Sequence, residues 1–211
     1  MVAGPFFVVY LLRDLHLTYL QYGLWLAAPI LAQLITLQEW GRIADKFGNK
    51  KVLAVTGLAI PIIPMLYLCS TNWMVVVAIN FLSGMLWPGF LLSLQNYVFD
   101  VVQVQDRAQG VAVYNTVNAF GTGAGAMLGS WLAVLAPSHV FLLGVALPLV
   151  SNLPIVFFAS GVLRMVVSVT LLNTFREART VTPISHRQLF KELPLIRPLA
   201  VVLGSRPSRT S

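Results

Sequence analysis

The chain has 211 residues, of which 57% are hydrophobic and 10% are charged, and its mean hydropathy is +0.79. Soluble domains carry about 25% charged residues, so this composition excludes an ordinary soluble fold. The net charge of +7 does not indicate nucleic-acid binding, because 7 of the 14 basic residues follow Phe175 and 4 more lie within residues 42–51. The single cysteine, Cys69, excludes an intramolecular disulfide, and no metal or cofactor is expected.

Two long stretches contain no Asp, Glu, Lys or Arg: Val52 to Phe99 and Ala108 to Leu163. A helix needs about 20 apolar residues to cross a bilayer, so each stretch has room for two crossings. The sequence therefore predicts an all-α fold, a polytopic membrane helix bundle of about six transmembrane helices.

The first two predicted spans cover residues 2–13 and 19–38. The first is too short to cross a bilayer at about 1.5 Å of rise per residue. We expect an incomplete first helix, and this start favours a fragment or a start codon assigned too late. The second span carries Pro29 near its middle.

The segment from Trp40 to Lys51, here called the signature segment, is the densest group of charges before the C-terminal tail. It is predicted to be a tight cytosolic turn between two spans. Gly41 is expected to let two helices approach closely, and Gly48 to supply a positive φ. Asp45 can accept hydrogen bonds from backbone N–H groups at a helix start.

Four further spans are predicted at residues 52–70, 73–99, 110–136 and 153–173, with a short apolar interfacial segment before the last. Pro61 and Pro64 are expected kink sites in the third span. Trp87-Pro88-Gly89 predicts a break in the fourth span. The fifth span carries three glycines at i, i+4 and i+8, which predict a helix-packing face: Gly121, Gly125 and Gly129.

The tail after the last span contains seven Arg and Lys residues and is expected on the cytoplasmic side. The signature segment is expected on the same side, so an even number of crossings must separate the two. The predicted organisation is a membrane bundle over residues 1–175 and a basic tail over residues 176–211.

The signature segment resembles the loop motif of the major facilitator superfamily, G-x-x-x-D-(R/K)-x-G-(R/K)-(R/K). The matching residues are Gly41, Asp45, Lys46, Gly48 and Lys50, and Lys51 follows them. Asn49 departs from the pattern, because it stands where the family has a basic residue. The stretch from Asn96 through Arg107, followed by Asn115, Asn118, Gly125 and Gly129, also looks like the tenth and eleventh helices of bacterial members.

The resemblance implies the C-terminal six-helix half of a transporter that moves a small solute by alternating access. It also implies a bacterial inner membrane location and a gating role for the signature segment. In such a fold, polar and aromatic residues on the first, second, fourth and fifth helices are candidates to line the substrate cavity. These candidates are Tyr10, Gln33, Asn80, Trp87, Gln95, Asn115 and Asn118. For each of them, interhelical hydrogen bonding is the alternative role.

No Asp, Glu or His lies deep in a predicted span, so the sequence offers no residue for proton coupling. Arg164 is the charge that falls inside a span, and it is expected to snorkel or to pair with a backbone carbonyl.

One half cannot rock against itself, so the expected partners are a separate or missing N-terminal half, or a second copy, besides the solute and the lipid bilayer. The alternative function is a non-transporting membrane scaffold or assembly protein. An enzyme is disfavoured, because no Ser/His/Asp set, metal cluster or phosphate-binding loop is evident.

Overall fold

The structure, a computed structural model, describes residues 2–135, 139–142, 145–148 and 151–172. The predicted basic tail at 176–211 lies outside these residues. In chain order the elements are α1 (Phe6–Val9), a π-helical turn (Tyr10–Asp14), α2 (Tyr19–Phe47), α3 (Asn49–Ala59), α4 (Ile62–Leu66), α5 (Trp73–Val101), a 3-10 turn (Val104–Asp106), α6 (Arg107–Leu135), β1 (His139–Leu142), β2 (Val145–Pro148) and α7 (Leu153–Leu172).

Four segments of the described chain are long and apolar enough to cross a membrane: Tyr19–Phe47, Asn49–Leu66, Trp73–Val101 and Leu153–Leu172. Together with α6 they form an all-α membrane helix bundle. The short strands β1 and β2 form an antiparallel hairpin in which Val140 pairs with Leu147. The sequence predicted an interfacial segment there but not the strand pairing.

Helices α2 and α5 form the central pair of the bundle. Side chains at the starts of both helices accept hydrogen bonds from backbone N–H groups of the first turn, which have no partner within the helix. The Thr18 hydroxyl accepts from the backbone N–H of Gln21, and the Asn72 side-chain oxygen accepts from the backbone N–H of Met74. The contacts between α2 and α5 advance in the same direction along both helices, so the two helices run parallel. We refer to the two ends of the bundle as the Gly48 end and the Thr71 end.

The closest approach of α2 and α5 occurs where a glycine faces a bulky group. A Cβ on Gly84 would clash with the backbone of Pro29. Further along, a Cβ on Gly89 would lie 2.5 Å from Cδ2 of Trp40. Two glycines of α5 therefore set how tightly α2 can pack, in the way small residues do at helix interfaces in membranes.

The predicted break at Trp87-Pro88-Gly89 is wrong, because α5 continues as one helix through Pro88. A helical proline leaves backbone carbonyls of the preceding turn without their usual donors. At Pro88 the carbonyl that loses its donor is that of Gly84. The Trp40 indole Nε1 donates to the neighbouring Met85 carbonyl oxygen at 2.6 Å, which ties α2 to this turn of α5. Gly89 leaves the room that the indole needs to reach it.

The signature segment is helical on both sides of a single residue, so the predicted tight turn is confined to Gly48 and the rest of the segment belongs to α2 and α3. Helix α2 continues to Phe47, nine residues past the predicted end, and α3 begins at Asn49. Gly48 alone makes the reversal with φ 88°, as its predicted role requires. Gly41 is predicted to let two helices approach closely. A Cβ there would lie 3.8 Å from Leu92 Cδ2, so alanine would fit within this chain.

The third predicted span bends between α3 and α4, where Pro61 is the N-cap of α4. Helix α7 packs on this bend, and a Cβ on Gly161 would lie 2.7 Å from the Pro61 carbonyl oxygen. At the Thr71 end an aromatic cluster fills the core between α1, α4 and α7. Phe7 stacks on Phe157 with ring centroids 4.5 Å apart, and Tyr67 lies 4.7 Å from Phe7.

Helix α6 contacts the rest of the bundle mainly near the Thr71 end. A Cβ on Gly129 would meet the Val2 carbonyl oxygen and would lie 2.7 Å from Phe6 Cε2. Gly125 is also buried. Gly121 is exposed and has open space beside it, so the three-glycine face packs within this chain over only part of its predicted length.

Candidate functional site

The seven cavity candidates separate into three groups by burial. Tyr10 forms the first group, because it is buried. Its side chain is 1% exposed and meets Phe157 edge to face, with ring centroids 5.3 Å apart. The π-helical turn places it in the aromatic core. Within the described chain the Tyr10 ring therefore packs in the bundle core.

Asn80 and Trp87 are half-buried on α5. The Asn80 side-chain Nδ2 donates to the Trp25 carbonyl oxygen at 2.7 Å. The Trp25 indole donates in turn to the Tyr67 hydroxyl at 3.0 Å. Asn80 thus makes the interhelical hydrogen bond that the sequence left open as its alternative role, which stabilises α5 against α2.

Trp87 lies near the middle of α5 and contacts two side chains that the sequence did not connect with it. Phe90 meets its ring edge to face at 5.9 Å. The guanidinium carbon of Arg164, on α7, lies 6.0 Å from the ring centroid. Arg164 is half-buried, and its contact with the indole face is a cation–π interaction rather than the expected pairing with a carbonyl.

The remaining candidates are exposed amides on three helices: Gln33 on α2, Gln95 on α5, and Asn115 and Asn118 on α6. Asn118 lies seven residues before Gly125, so it shares the face of α6 that is buried nearer the Thr71 end. The polar part of this face is uncovered within the described chain. The structure does not bring all seven candidates together into one cavity.

A polar cluster at the Gly48 end was missed by sequence reasoning. Asn49, the first residue of α3, is fully buried. Its Nδ2 donates to Asp100 Oδ2 at 3.1 Å, and its Oδ1 accepts from Asn96 Nδ2 at 3.4 Å. The sequence signal for this cluster is Asn49 itself, which is the single departure from the motif.

This cluster connects the signature segment to the far end of α5. Asn49 follows Gly48 directly, so the bond to Asp100 fixes the turn between α2 and α3 on the end of a third helix. A lysine at position 49 would place a strongly hydrated charge at a fully buried position, whereas an amide can both donate and accept there.

The charged residues of the signature segment lie at or near the surface. Asp45 and Lys46 are exposed, and Lys50 and Lys51 are half-buried. The Lys46 ammonium lies 5.0 Å from the centre of the Phe47 ring. Among the described residues, no group of three His, Cys, Asp or Glu side chains is placed to hold a metal ion.

Comparison with known proteins gives one family and several distant relatives. The model of the Major Facilitator Superfamily matches residues 1–205. The chain is 23% identical to a probable peptide/nitrate transporter of Arabidopsis thaliana over 139 residues, which are 63% of this chain and 28% of the relative. It is 23% identical to the quinolone resistance protein NorA of Staphylococcus aureus over 176 residues, 83% of this chain and 42% of NorA.

An uncharacterized transporter of Buchnera aphidicola is 23% identical over 128 residues, 61% of this chain and 31% of that protein. The chain therefore spans less than half the length of each of these relatives. The family match covers nearly all of the chain, including the signature segment, the α2–α5 pair and α6. This protein is an integral membrane protein of the Major Facilitator Superfamily.

Proposed function

We propose that this chain is the C-terminal six-helix half of a secondary transporter that moves a small solute across a membrane by alternating access. The family match supports transport rather than enzymatic catalysis. The matched segments make up 28% and 42% of two relatives whose descriptions name transport or drug resistance, which supports a half that works with another half. Those descriptions concern different solutes, so the proposal stays at the level of a small solute.

The observation that carries the proposal is the exposed polar face of α6. Asn115 and Asn118 lie well inside a 29-residue helix and are uncovered by the rest of the described chain. Amide groups facing lipid are costly, so residues of this kind face a partner or a water-filled cavity. A second half packed across α6 would make this face a cavity wall, together with Gln33 and Gln95.

We place the membrane bundle at residues 1–175 and the tail, 176–211, in the cytoplasm, with the Gly48 end on the same side. A bacterial inner membrane fits the basic bias of these two segments. The second half is either a separate or missing N-terminal half or a second copy of this chain.

The proposed gate is the signature segment, formed by Gly41, Asp45, Lys46, Gly48, Lys50 and Lys51. Its exposed charges would dock on the facing half when the cytoplasmic side closes. The buried bond from Asn49 to Asp100 supports this role, because it ties the segment to the end of α5. A movement of α5 would then be transmitted to the docking charges.

The gate predicts that Asp45→Asn lowers transport by the full-length protein without preventing membrane insertion. Losing a charge-assisted hydrogen bond costs about 1.5–3 kcal/mol, so we expect the uptake rate to fall roughly tenfold or more. Initial uptake in proteoliposomes would be measured with quinolones, nitrate and short peptides as first solutes. Asp106→Asn is the matched control, because Asp106 is exposed in the 3-10 turn at the same end of the bundle. Unchanged uptake in the Asp45 variant would contradict gating by this residue.

Alternating access itself can be tested without knowing the solute. Asn118→Cys, in a Cys69→Ser background and in the full-length protein, would be labelled with a membrane-impermeant maleimide from each side of sealed vesicles. A transporter should expose this position from either side in different states, so labelling should occur from both. Labelling from neither side, or from one side under every condition, would support the scaffold alternative instead.

A further inference from the structure

Arg164 is a charged residue in the interior of a membrane-spanning helix. It lies near the middle of the 20-residue α7 and is only half-exposed. Within the part of the chain that the structure describes, Arg164 forms no ion pair. An arginine at this depth carries a large insertion cost unless it has an anionic or polar partner.

Trp87 supplies only part of such a partner. Its ring centroid lies 6.0 Å from the guanidinium carbon, at the outer limit of a cation–π contact. A contact of this strength is smaller than the cost of a charge at the centre of a membrane helix. The guanidinium also keeps its N–H donors for another group, because the indole face accepts no conventional hydrogen bond.

Snorkelling, in which a long side chain reaches toward water, does little to lower the free-energy cost of the Arg164 charge. Side chains in a helix lean toward its N-terminus, and for α7 this direction leads from Arg164 back past Ser160, deeper along the helix. Ser160 lies one turn away on the same face, is 1% exposed, and its hydroxyl has no hydrogen-bond partner in the described chain. Ser168, one turn beyond Arg164 in the other direction, continues this polar face toward Gly57 of α3.

We propose that Arg164, with the Ser160 hydroxyl and the Trp87 ring, binds the anionic group of an organic molecule with an apolar or aromatic body. The guanidinium fork matches a carboxylate or a phosphate, and the hydroxyl adds a donor that nothing else in the described chain uses. Trp87 and Phe90, in edge-to-face contact, offer an aromatic surface to the body of the ligand. The site does not depend on the proposed transport function, since it is defined by binding alone.

The anion can come from water or from the bilayer, and two brominated carboxylates distinguish these sources. The chain would be placed in phosphatidylcholine nanodiscs and titrated with 4-bromobenzoate, which is water-borne, or with 9,10-dibromostearate, which is lipid-borne. Bromine quenches a nearby indole, and the signal of Trp87 is isolated as the difference between the unmodified chain and Trp87→Phe. We expect saturable quenching of Trp87 by at least one of the two acids and none by their methyl esters.

Charge at position 164 is then tested directly. Arg164→Gln should weaken the apparent affinity roughly tenfold or more. Arg164→Lys should have an affinity between those of Arg164→Gln and the unmodified chain, since it keeps the charge but loses the fork. Arg42→Gln removes an exposed arginine and should leave the titration unchanged. Equal affinity in Arg164→Gln, or quenching by the esters as strong as by the acids, would overturn the proposal.

Two measurements keep the test decisive if the Arg164 variants fail to insert. The comparison of acid with ester uses only the unmodified chain and Trp87→Phe, and absence of saturable quenching by both acids would also overturn the site. Ser160→Ala should weaken binding by a few fold, as loss of one neutral donor does. These readouts involve no flux, so a failure of transport would leave the binding result unaffected.

Discussion

Helices α5 and α6 have the same length of 29 residues and opposite surroundings. Eight residues of α5 are buried inside the chain, whereas Gly125 and Gly129 are the buried residues of α6. Phe120 and Met127 of α6 are 77% and 76% exposed. An apolar helix in a membrane protein is therefore not necessarily a core helix of its own chain. The difference indicates that α5 holds the described bundle together, whereas most of the α6 surface is left uncovered by it.

The sharpest way to test this difference is to place the same bulky side chain on each helix. Gly84→Val would force a Cβ into the Pro29 backbone, and overpacking of this kind costs about 1–3 kcal/mol or more. Gly121→Val has open space, so it should change the stability of the chain by less than about 0.5 kcal/mol. Unfolding by SDS titration in mixed micelles would measure both. Equal losses would show that α6 is packed as tightly as α5.

Tryptophan substitutions give a second comparison with a smaller expected effect. Trp40→Phe removes the hydrogen bond to the Met85 carbonyl and leaves part of the space of a fully buried indole empty, at a cost of about 1–3 kcal/mol. Trp131→Phe on α6, where the indole is 64% exposed, should be close to neutral. Thermal unfolding followed by size-exclusion fluorescence would rank the two variants. A loss for Trp131 that matches the loss for Trp40 would refute the ranking.

The smallest expected effect on stability is that of Asn118→Ala. Its side chain is exposed, so the free energy of unfolding of this chain should change by less than about 0.5 kcal/mol. If α6 lines a cavity in the full-length protein, the same change should alter the uptake of a transported solute. Loss of stability without any change in uptake would assign Asn118 to packing. Asn80→Ala is the matched control, since Asn80 bonds to the Trp25 carbonyl and should cost stability in the chain alone.

Charge-free stretches of fixed length indicate where a chain can cross a bilayer, but they did not predict the end of α2, which continues nine residues into the charged signature segment. Gly48 was predictable, since a reversal within one residue requires a positive φ. Which side chains face a neighbouring helix and which face lipid was not predictable. A membrane helix is apolar on all sides, so its pattern does not say which residues meet a neighbour and which meet lipid.

Tyr10, Pro88 and Asn49 show why the candidate site was predicted only in part. Tyr10 looked like a polar residue in a span, but a neighbouring aromatic cluster buries it. Pro88 suggests a break, but α5 continues through it, and a tryptophan 48 positions earlier in the chain donates to the Met85 carbonyl in the preceding turn. Asn49 looked like a lost charge, but Asp100 makes it a bridge. Each outcome depends on a contact between residues far apart in the chain, which local spacing does not reveal.

The length of α2 has a mechanical consequence. At about 1.5 Å per residue the helix is about 44 Å long, whereas a hydrocarbon core is about 30 Å thick. Its last turns, from Glu39 to Phe47, would extend beyond the hydrocarbon as a rigid rod. These turns carry most of the charged residues of the signature segment near their end. A tilt of roughly 10° about the far end would swing this end by about 8 Å. With only Gly48 as a joint, the start of α3 must follow, so a small rotation within the membrane becomes a large displacement at its surface.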